Sequence, residues 1–284
     1  MSEPITIQAH PDLVLDLLDG GLRQIYFQGK PMLYSDLSRF GKANPEYFGQ
    51  FVAPFAGRIQ NARLGEFIFT PNEGRNALHS ANYCFCWKEY KRNISVNSRE
   101  ICVEFTREDT YFGAPCVAKA RYILDRAKPK FRMELSFVCE KDVPCNLTTH
   151  CYFSLGEDDV TNVAMKMPAS RIMSYDKELL PLKYVPVEGR FDFRSPRRIS
   201  FPMDHAYGLD RGEVKAWTDK VIMNVKSTAK NVVIYLDVPS KQATGASKGF
   251  TLEFVHFPFL GKEMILPAGT AHEVVNEYEF SSRG

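Results

Sequence analysis

Residues 130–140 read Lys-Phe-Arg-Met-Glu-Leu-Ser-Phe-Val-Cys-Glu, with apolar and polar side chains alternating one for one. Successive side chains of an extended chain point to opposite faces, so Phe131, Met133, Leu135 and Phe137 share one face and Arg132, Glu134 and Ser136 the other. An α-helix would scatter the same residues around its axis. The stretch is a strand with one face in a core. The same pattern recurs at residues 116–124, 219–227, 231–238, 249–257 and 273–281, with turn clusters between such runs at Asp19–Gly21, Pro71–Arg75, Leu155–Asp159 and Pro239–Gly249. Helical spacing is confined to residues 44–52 and 176–180. Many short strands without strand–helix alternation predict an all-β chain, a large antiparallel β-sandwich with few short helices. No linker divides it, so residues 1–284 are expected to form a single domain, with 239–249 as a hairpin loop.

Composition fits that reading. Hydrophobic residues make up 44% and charged residues 25% of the 284, enough apolar material for a core. A net charge of +2 provides no footprint for a polyanion, so nucleic acid is not the expected partner. No run approaches the roughly 20 apolar residues of a membrane helix, and the N-terminus lacks a signal-peptide pattern, which predicts a cytoplasmic protein without membrane contact. The seven cysteines fall mostly in apolar segments and are expected to be buried reduced thiols. Cys84 and Cys86 are one residue apart with no matching pair downstream, so no structural metal site is expected.

Chemistry must come from local groups. His150, in Pro144-Cys-Asn-Leu-Thr-Thr-His-Cys-Tyr-Phe-Ser-Leu155, shares a strand face with Thr148, Tyr152 and Ser154. A single histidine on such a row is more often a hydrogen-bonded structural residue than a catalyst. Glu253, in Phe250-Thr-Leu-Glu-Phe-Val-His-Phe257, is a charge in an otherwise apolar strand. It must either reach water or be held by partners in a cleft. An edge-strand glutamate that deters aggregation is the equal alternative. Arg58 follows Gly57 in residues 54–67, and His79 follows a turn-rich stretch with Asn72, Glu73 and Asn76. Asp204 and His205 are read as lying in a loop between strands. His205, His256 and His272 have no motif partners and are read as structural.

Taken in order, these segments resemble the aldose 1-epimerase (galactose mutarotase) family. Residues 54–67 resemble its Gly-Arg-x-Ala-Asn-Arg-Ile segment, residues 71–80 its Asn-Ser-Leu-His segment, and residues 144–155 its Asn-Leu-Thr-Asn-His-x-Tyr-Phe-Asn-Leu segment. Residues 187–199 resemble a structural hairpin, Met203–Tyr207 the Tyr-Asp-His-Asn-Phe segment, and residues 250–258 the Cys-Leu-Glu-x-Gln-x-x-Pro segment. The resemblance covers about residues 50–258 and implies a galactose mutarotase-like supersandwich. It further implies His150 as general acid, Glu253 as general base, and Arg58, His79 and Asp204 as sugar-binding residues.

The implied reaction opens a cyclic hemiacetal and recloses it on the other face. It needs a proton acceptor at the anomeric hydroxyl and a donor at the ring oxygen, with Glu253 ionised and His150 protonated at the outset. No cofactor or metal is implied. The implied partner is a small monosaccharide, and the protein a monomer or homodimer. Val233 stands where the family has a glutamine two positions before the tyrosine matched by Tyr235, which removes a hydroxyl partner. Ser80 and Ala81 replace the two glycines after the first histidine, Thr149 replaces an asparagine, and the stretch between His150 and Glu253 is shorter than in typical members. A non-catalytic sugar-binding module of the same fold, and a mutarotase for a phosphorylated or sulfonated sugar held by Arg75, Lys88 or Lys91, are the alternatives. A glycoside hydrolase would need a second carboxylate at fixed spacing, for which Asp204 is a poor partner.

Overall fold

The computed structural model describes residues 2–37, 46–200, 202–236, 242, 244–257 and 264–284. Every strand in its larger sheets pairs antiparallel with its neighbours. The nine-stranded sheet runs in the order Lys91–Val96, Glu100–Tyr111, Ala114–Asp125, Lys130–Cys139, Ala271–Ser282, Val221–Ser227, Glu213–Trp217, Ala164–Lys166, Arg197–Arg198. A five-stranded sheet orders Pro181–Pro186, Ala169–Tyr175, Asp204–Leu209, Asn231–Tyr235 and Glu253–Val255, and a four-stranded N-terminal sheet spans residues 5–31. This is the all-β antiparallel sandwich that the alternation predicts.

The alternating residues of 130–139 lie as the pattern requires. Phe131, Met133, Leu135 and Phe137 are buried and stand opposite Tyr278, Asn276, Val274 and His272 of the strand Ala271–Ser282. On the other face Arg121 lies near both Glu104 and Glu134, and Lys130 pairs with Glu277 at 2.7 Å. Such solvated pairs add little stability, so the apolar face carries the packing.

One row of rings ties this sheet to the strands that carry the chemistry. Phe131 stacks on Tyr278 at 4.9 Å, Tyr278 on Phe153 at 5.8 Å, and Phe153 lies 6.0 Å from Phe250. Phe153 and Phe250 are also cross-strand partners in the pair Tyr152–Phe153 with Phe250–Thr251. Aromatic side chains of this size bring large buried areas and preferred ring geometries, so the row fixes the two short strands relative to the large sheet.

Several local expectations are corrected. Residues 46–50 form turns and Phe51–Val52 a strand, because Tyr47 and Gly49 adopt φ of 52° and 60°, which no right-handed helix accommodates. Asn44 and Pro45 lie outside the described residues. Residues 176–180 also form a turn instead of a helix: Asp176 Oδ1 accepts the amides of Glu178 and Leu180, and Leu179 has a φ of 57°. Asp204 and His205 open a strand and do not lie in a loop. The expected hairpin at 187–199 is a 3-10 turn, Gly189–Phe191, followed by the edge strand Arg197–Arg198. The expected loop at 239–249 lies largely outside the described residues. Cys84 and Cys86 are joined in a disulfide, contrary to seven reduced thiols, with Cα atoms 5.4 Å apart, within the range a disulfide spans. Cys102, Cys116, Cys139, Cys145 and Cys151 remain buried free thiols. No helix among the described residues is long and apolar enough to cross a membrane.

Candidate active site

His150 sits between the two-residue strands Thr148–Thr149 and Tyr152–Phe153, where the chain is pinned on both sides. Its amide donates to Gln50 O at 3.0 Å, and its carbonyl accepts the Gly49 amide at 2.9 Å. Glu253 begins the strand that closes the five-stranded sheet, opposite Val233. The edge position is covered, and Glu253 is buried at 5% exposure. The two side chains meet, with His150 Nε2 3.5 Å from Glu253 Oε1.

Their environment opposes charge. Burial, reinforced by Asp204, pushes the Glu253 carboxyl up to about 8, against the pull of the Thr251 hydroxyl 3.2 Å from Oε1 and of Arg58. Burial pushes the His150 imidazole down to about 4, against the pull of a hydrogen bond to its own backbone. Near neutral pH the pair holds one proton, and in the ligand-free pocket that proton belongs on the carboxyl. This reverses the arrangement expected from sequence, in which the carboxylate was to hold imidazolium beside it. Desolvation is the largest cause of both shifts. His150 Nδ1 is buried and has no side-chain partner among the described residues, and the residue's own backbone is the group that favours the charged ring.

His79 lies beside His150, with ring centroids 5.4 Å apart, and edge-on to Tyr47 at 4.7 Å. Its Nδ1 accepts the Gly57 amide at 3.3 Å and its own amide donates to Gly57 O at 3.1 Å. Burial, with the charges of His150 and Arg58, holds its pKa well below the usual imidazole range. A neutral ring with an accepting Nδ1 carries its proton on Nε2, which makes it a hydrogen-bond donor. The donor atoms of His79, His150 and Glu253 all lie within 4.8 Å of one another, a grouping that could hold a metal ion. His79 is poorly set for that task, since a metal on Nε2 would force a proton onto Nδ1 against the Gly57 amide.

The backbone around His79 is unusual. His79, Ser80 and Ala81 have φ of 49°, 64° and 46°, three consecutive left-handed residues without a glycine among them. Ser80 holds the turn: its buried hydroxyl accepts the Phe55 amide at 2.7 Å and donates to Phe55 O at 3.0 Å.

Arg58 is gripped by Glu73 through Nε–Oε2 and Nη2–Oε1 contacts of 2.7 and 3.1 Å, and its Nη2 lies 3.9 Å from Asp204 Oδ2. Burial raises the Asp204 pKa and Glu73 adds to the effect, while Arg58 opposes it. All five predicted residues line one cavity of about 310 Å³. Its remaining lining includes Asn146, Tyr152, Tyr175, Val233, Tyr235, Val255 and Phe257. His205, His256 and His272 do not line it; His256 Nε2 lies 2.7 Å from Glu273 O and His272 packs against His256. Arg75, Lys88 and Lys91 also lie outside, paired with Glu178, Asp109 and Glu108.

Sequence reasoning missed Asn146 and Tyr175. Asn146 Nδ2 donates to Ala56 O at 3.0 Å and Phe257 O at 2.7 Å, tying three segments of the pocket wall together. Two steps backward along the row Thr148, His150, Tyr152 would have reached it. Tyr175, whose hydroxyl accepts the Ala206 amide at 3.1 Å, has no comparable signal in its segment.

The fold and the cavity define a galactose mutarotase-like protein. A galactose 1-epimerase from Lactobacillus acidophilus superposes with a TM-score of 0.88 at 21% identity, covering 99% of this chain and 95% of that one. An aldose epimerase homologue from C. elegans does so at 0.85 and 18% identity, with full coverage of both chains. The family model for aldose 1-epimerase matches residues 27–272, and the chain belongs to that family. Curated relatives include the aldose 1-epimerases of Escherichia coli, 26% identical over 236 residues, and of Haemophilus influenzae, 29% identical over 192. The matches take in 78% and 63% of this chain but only 64% and 54% of those relatives' lengths.

Two stability results follow from this geometry. Ser80→Ala leaves the buried Phe55 amide and carbonyl without their partner and should cost about 2 kcal/mol in denaturant unfolding. Glu253→Gln should raise the melting midpoint at pH 8 by about 2 °C or more. Below pH 4.5 the carboxyl is protonated in both folded and unfolded states, so the gain vanishes there. As pH rises toward 8 the unfolded carboxyl ionises while the folded one keeps its proton, and the wild type loses stability relative to the variant. Melting curves between pH 4.5 and 8 check this; a pH-independent difference contradicts it.

Proposed function

We propose that the protein is a mutarotase, interconverting the α and β anomers of a free aldose, with Glu253 and His150 exchanging the protons and Arg58, His79 and Asp204 holding the sugar. The observation that carries the proposal is the 3.5 Å approach of His150 Nε2 to Glu253 Oε1 in a cavity small enough for one sugar ring.

Ring opening moves the anomeric hydroxyl proton to one group and places a proton from the other on the ring oxygen. With Glu253 accepting and His150 donating, the pair passes from carboxylate and imidazolium to carboxylic acid and neutral imidazole. After rotation about the bond between the first two carbons, the same transfers run backward and close the other anomer. Both states hold one proton, as the pair does near neutral pH. The empty pocket favours the state that accompanies the open-chain aldehyde. Binding of the closed ring then requires one proton to pass between groups already 3.5 Å apart.

His79, as a neutral Nε2 donor, suits a sugar oxygen. Asp204 suits sugar hydroxyl donors, and Arg58 is oriented by Glu73. An uncharged sugar is favoured over a phosphorylated or sulfonated one, because the Arg58 fork is already occupied by Glu73 and Arg75, Lys88 and Lys91 lie outside the cavity. The reading includes a single domain in a cytoplasmic setting; the five unpaired thiols favour that setting and the Cys84–Cys86 disulfide does not.

Polarimetry on a freshly dissolved single anomer tests the assignment. Glu253→Gln and His150→Asn should each lower the catalysed rate by about 10²–10⁴-fold, and His79→Asn less. Wild-type turnover in Glu253→Gln would refute it. The kcat/KM profile should be bell-shaped, falling below about pH 4 where the pair holds two protons and above about pH 8 where it holds none.

A further inference from the structure

The strand register fixes what lies beside Glu253. Three segments run side by side across the pocket floor: the chain at His150, the strand Glu253–Val255, and the strand Asn231–Tyr235. Glu253 therefore has His150 on one flank and Val233, its direct cross-strand partner, on the other. The next strand outward carries Asp204 opposite Tyr235 and Ala206 opposite Val233. Adjacent strands are about 4.8 Å apart, and cross-strand partners share a face.

This inference rests on the mutarotase reading. If His150 serves the ring oxygen and Glu253 the anomeric hydroxyl, the direction from His150 to Glu253 runs from the ring oxygen to the anomeric carbon. Continued across the floor, the next position is the second carbon of the sugar, and the side chain there is Val233. Val233 lines the cavity and packs against an apolar group that includes Val52, Ala56 and Val255. It offers neither donor nor acceptor. Beyond it, Ala206 is fully buried, the Asp204 carboxylate belongs to the strand two away from Glu253 and Tyr175 to the strand three away, where later carbons of the ring would lie. The Thr251 hydroxyl is held between the Tyr235 amide at 3.0 Å and Glu253 Oε1 at 3.2 Å.

We propose that Val233 offers the hydroxyl on the second carbon no hydrogen bond, so that the protein takes 2-deoxyaldoses as readily as their parent aldoses. A site that hydrogen-bonds a hydroxyl rejects the analogue lacking it strongly, because its own polar group is left unpaired. An isopropyl wall has nothing to leave unpaired, and it strips water from a hydroxyl placed against it. Removal of that hydroxyl should therefore be neutral or favourable.

Anomer exchange by NMR tests this with two pairs, glucose with 2-deoxyglucose and galactose with 2-deoxygalactose. Each catalysed rate is divided by the spontaneous rate of the same sugar. In the wild type the normalised kcat/KM of each 2-deoxy sugar should be within about threefold of its parent or higher. Val233→Gln, which restores an amide at this position, should shift the ratio toward the parent sugar by about tenfold or more. A wild-type loss of about tenfold or more on removing the hydroxyl overturns this inference alone. A ratio unmoved in a folded Val233→Gln also overturns it. Absence of catalysed exchange for every aldose overturns the mutarotase reading, and this inference with it.

Discussion

The site depends on keeping a carboxyl and an imidazole together out of water. Each is a group that water would normally charge, and here burial drives Glu253 up and His150 down until their preferences cross. The pair as a unit holds one proton over the range between those values. That proton can sit on either group, and a reaction that alternately protonates and deprotonates two oxygens of one sugar needs such a pair. Stability is the cost: a buried acid is a poor core residue, and the fold must hold it in place with contacts made elsewhere.

Those contacts are identifiable. The row Phe131, Tyr278, Phe153 and Phe250 connects the nine-stranded sheet to the two short strands that flank the pocket. Tyr152 pairs with Thr251, one position along from the ring pair, and Thr251 in turn reaches Glu253. Around the same cavity, Ser80 anchors three left-handed residues at His79, and Glu73 fixes the direction of Arg58. Asn146 joins the chain near His150 to segments at 56 and 257. Thus the reactive pair is held by apolar packing behind it and by buried hydrogen bonds around it.

Much of this is legible in the chain. Phe131 to Phe137 give the strand, its core face and the fold class, because period-two alternation admits one geometry. His150 and Glu253 stand out as polar side chains in apolar strands, but only their family resemblance pairs them. Alternation says which face a residue takes, not which distant strand it meets. Glu73 was visible as a polar turn residue, yet its grip on Arg58 depends on how two loops close. The expected helices at 44–52 and 176–180 failed because short helical spacing cannot reveal left-handed residues such as Tyr47 and Leu179. The directions in which burial moves Glu253 and His150 are hidden for a related reason: sequence shows the charges but not the depth at which they are buried.

The central claim is that the ligand-free pocket keeps a single proton on a buried carboxyl beside a neutral imidazole. A pH titration of the Glu253 side-chain carboxyl by carbon-13 NMR, assigned by its disappearance in Glu253→Gln, measures it directly. The carboxyl should remain protonated through pH 6 and titrate near 8. A resonance already that of a carboxylate at pH 6 would contradict the account.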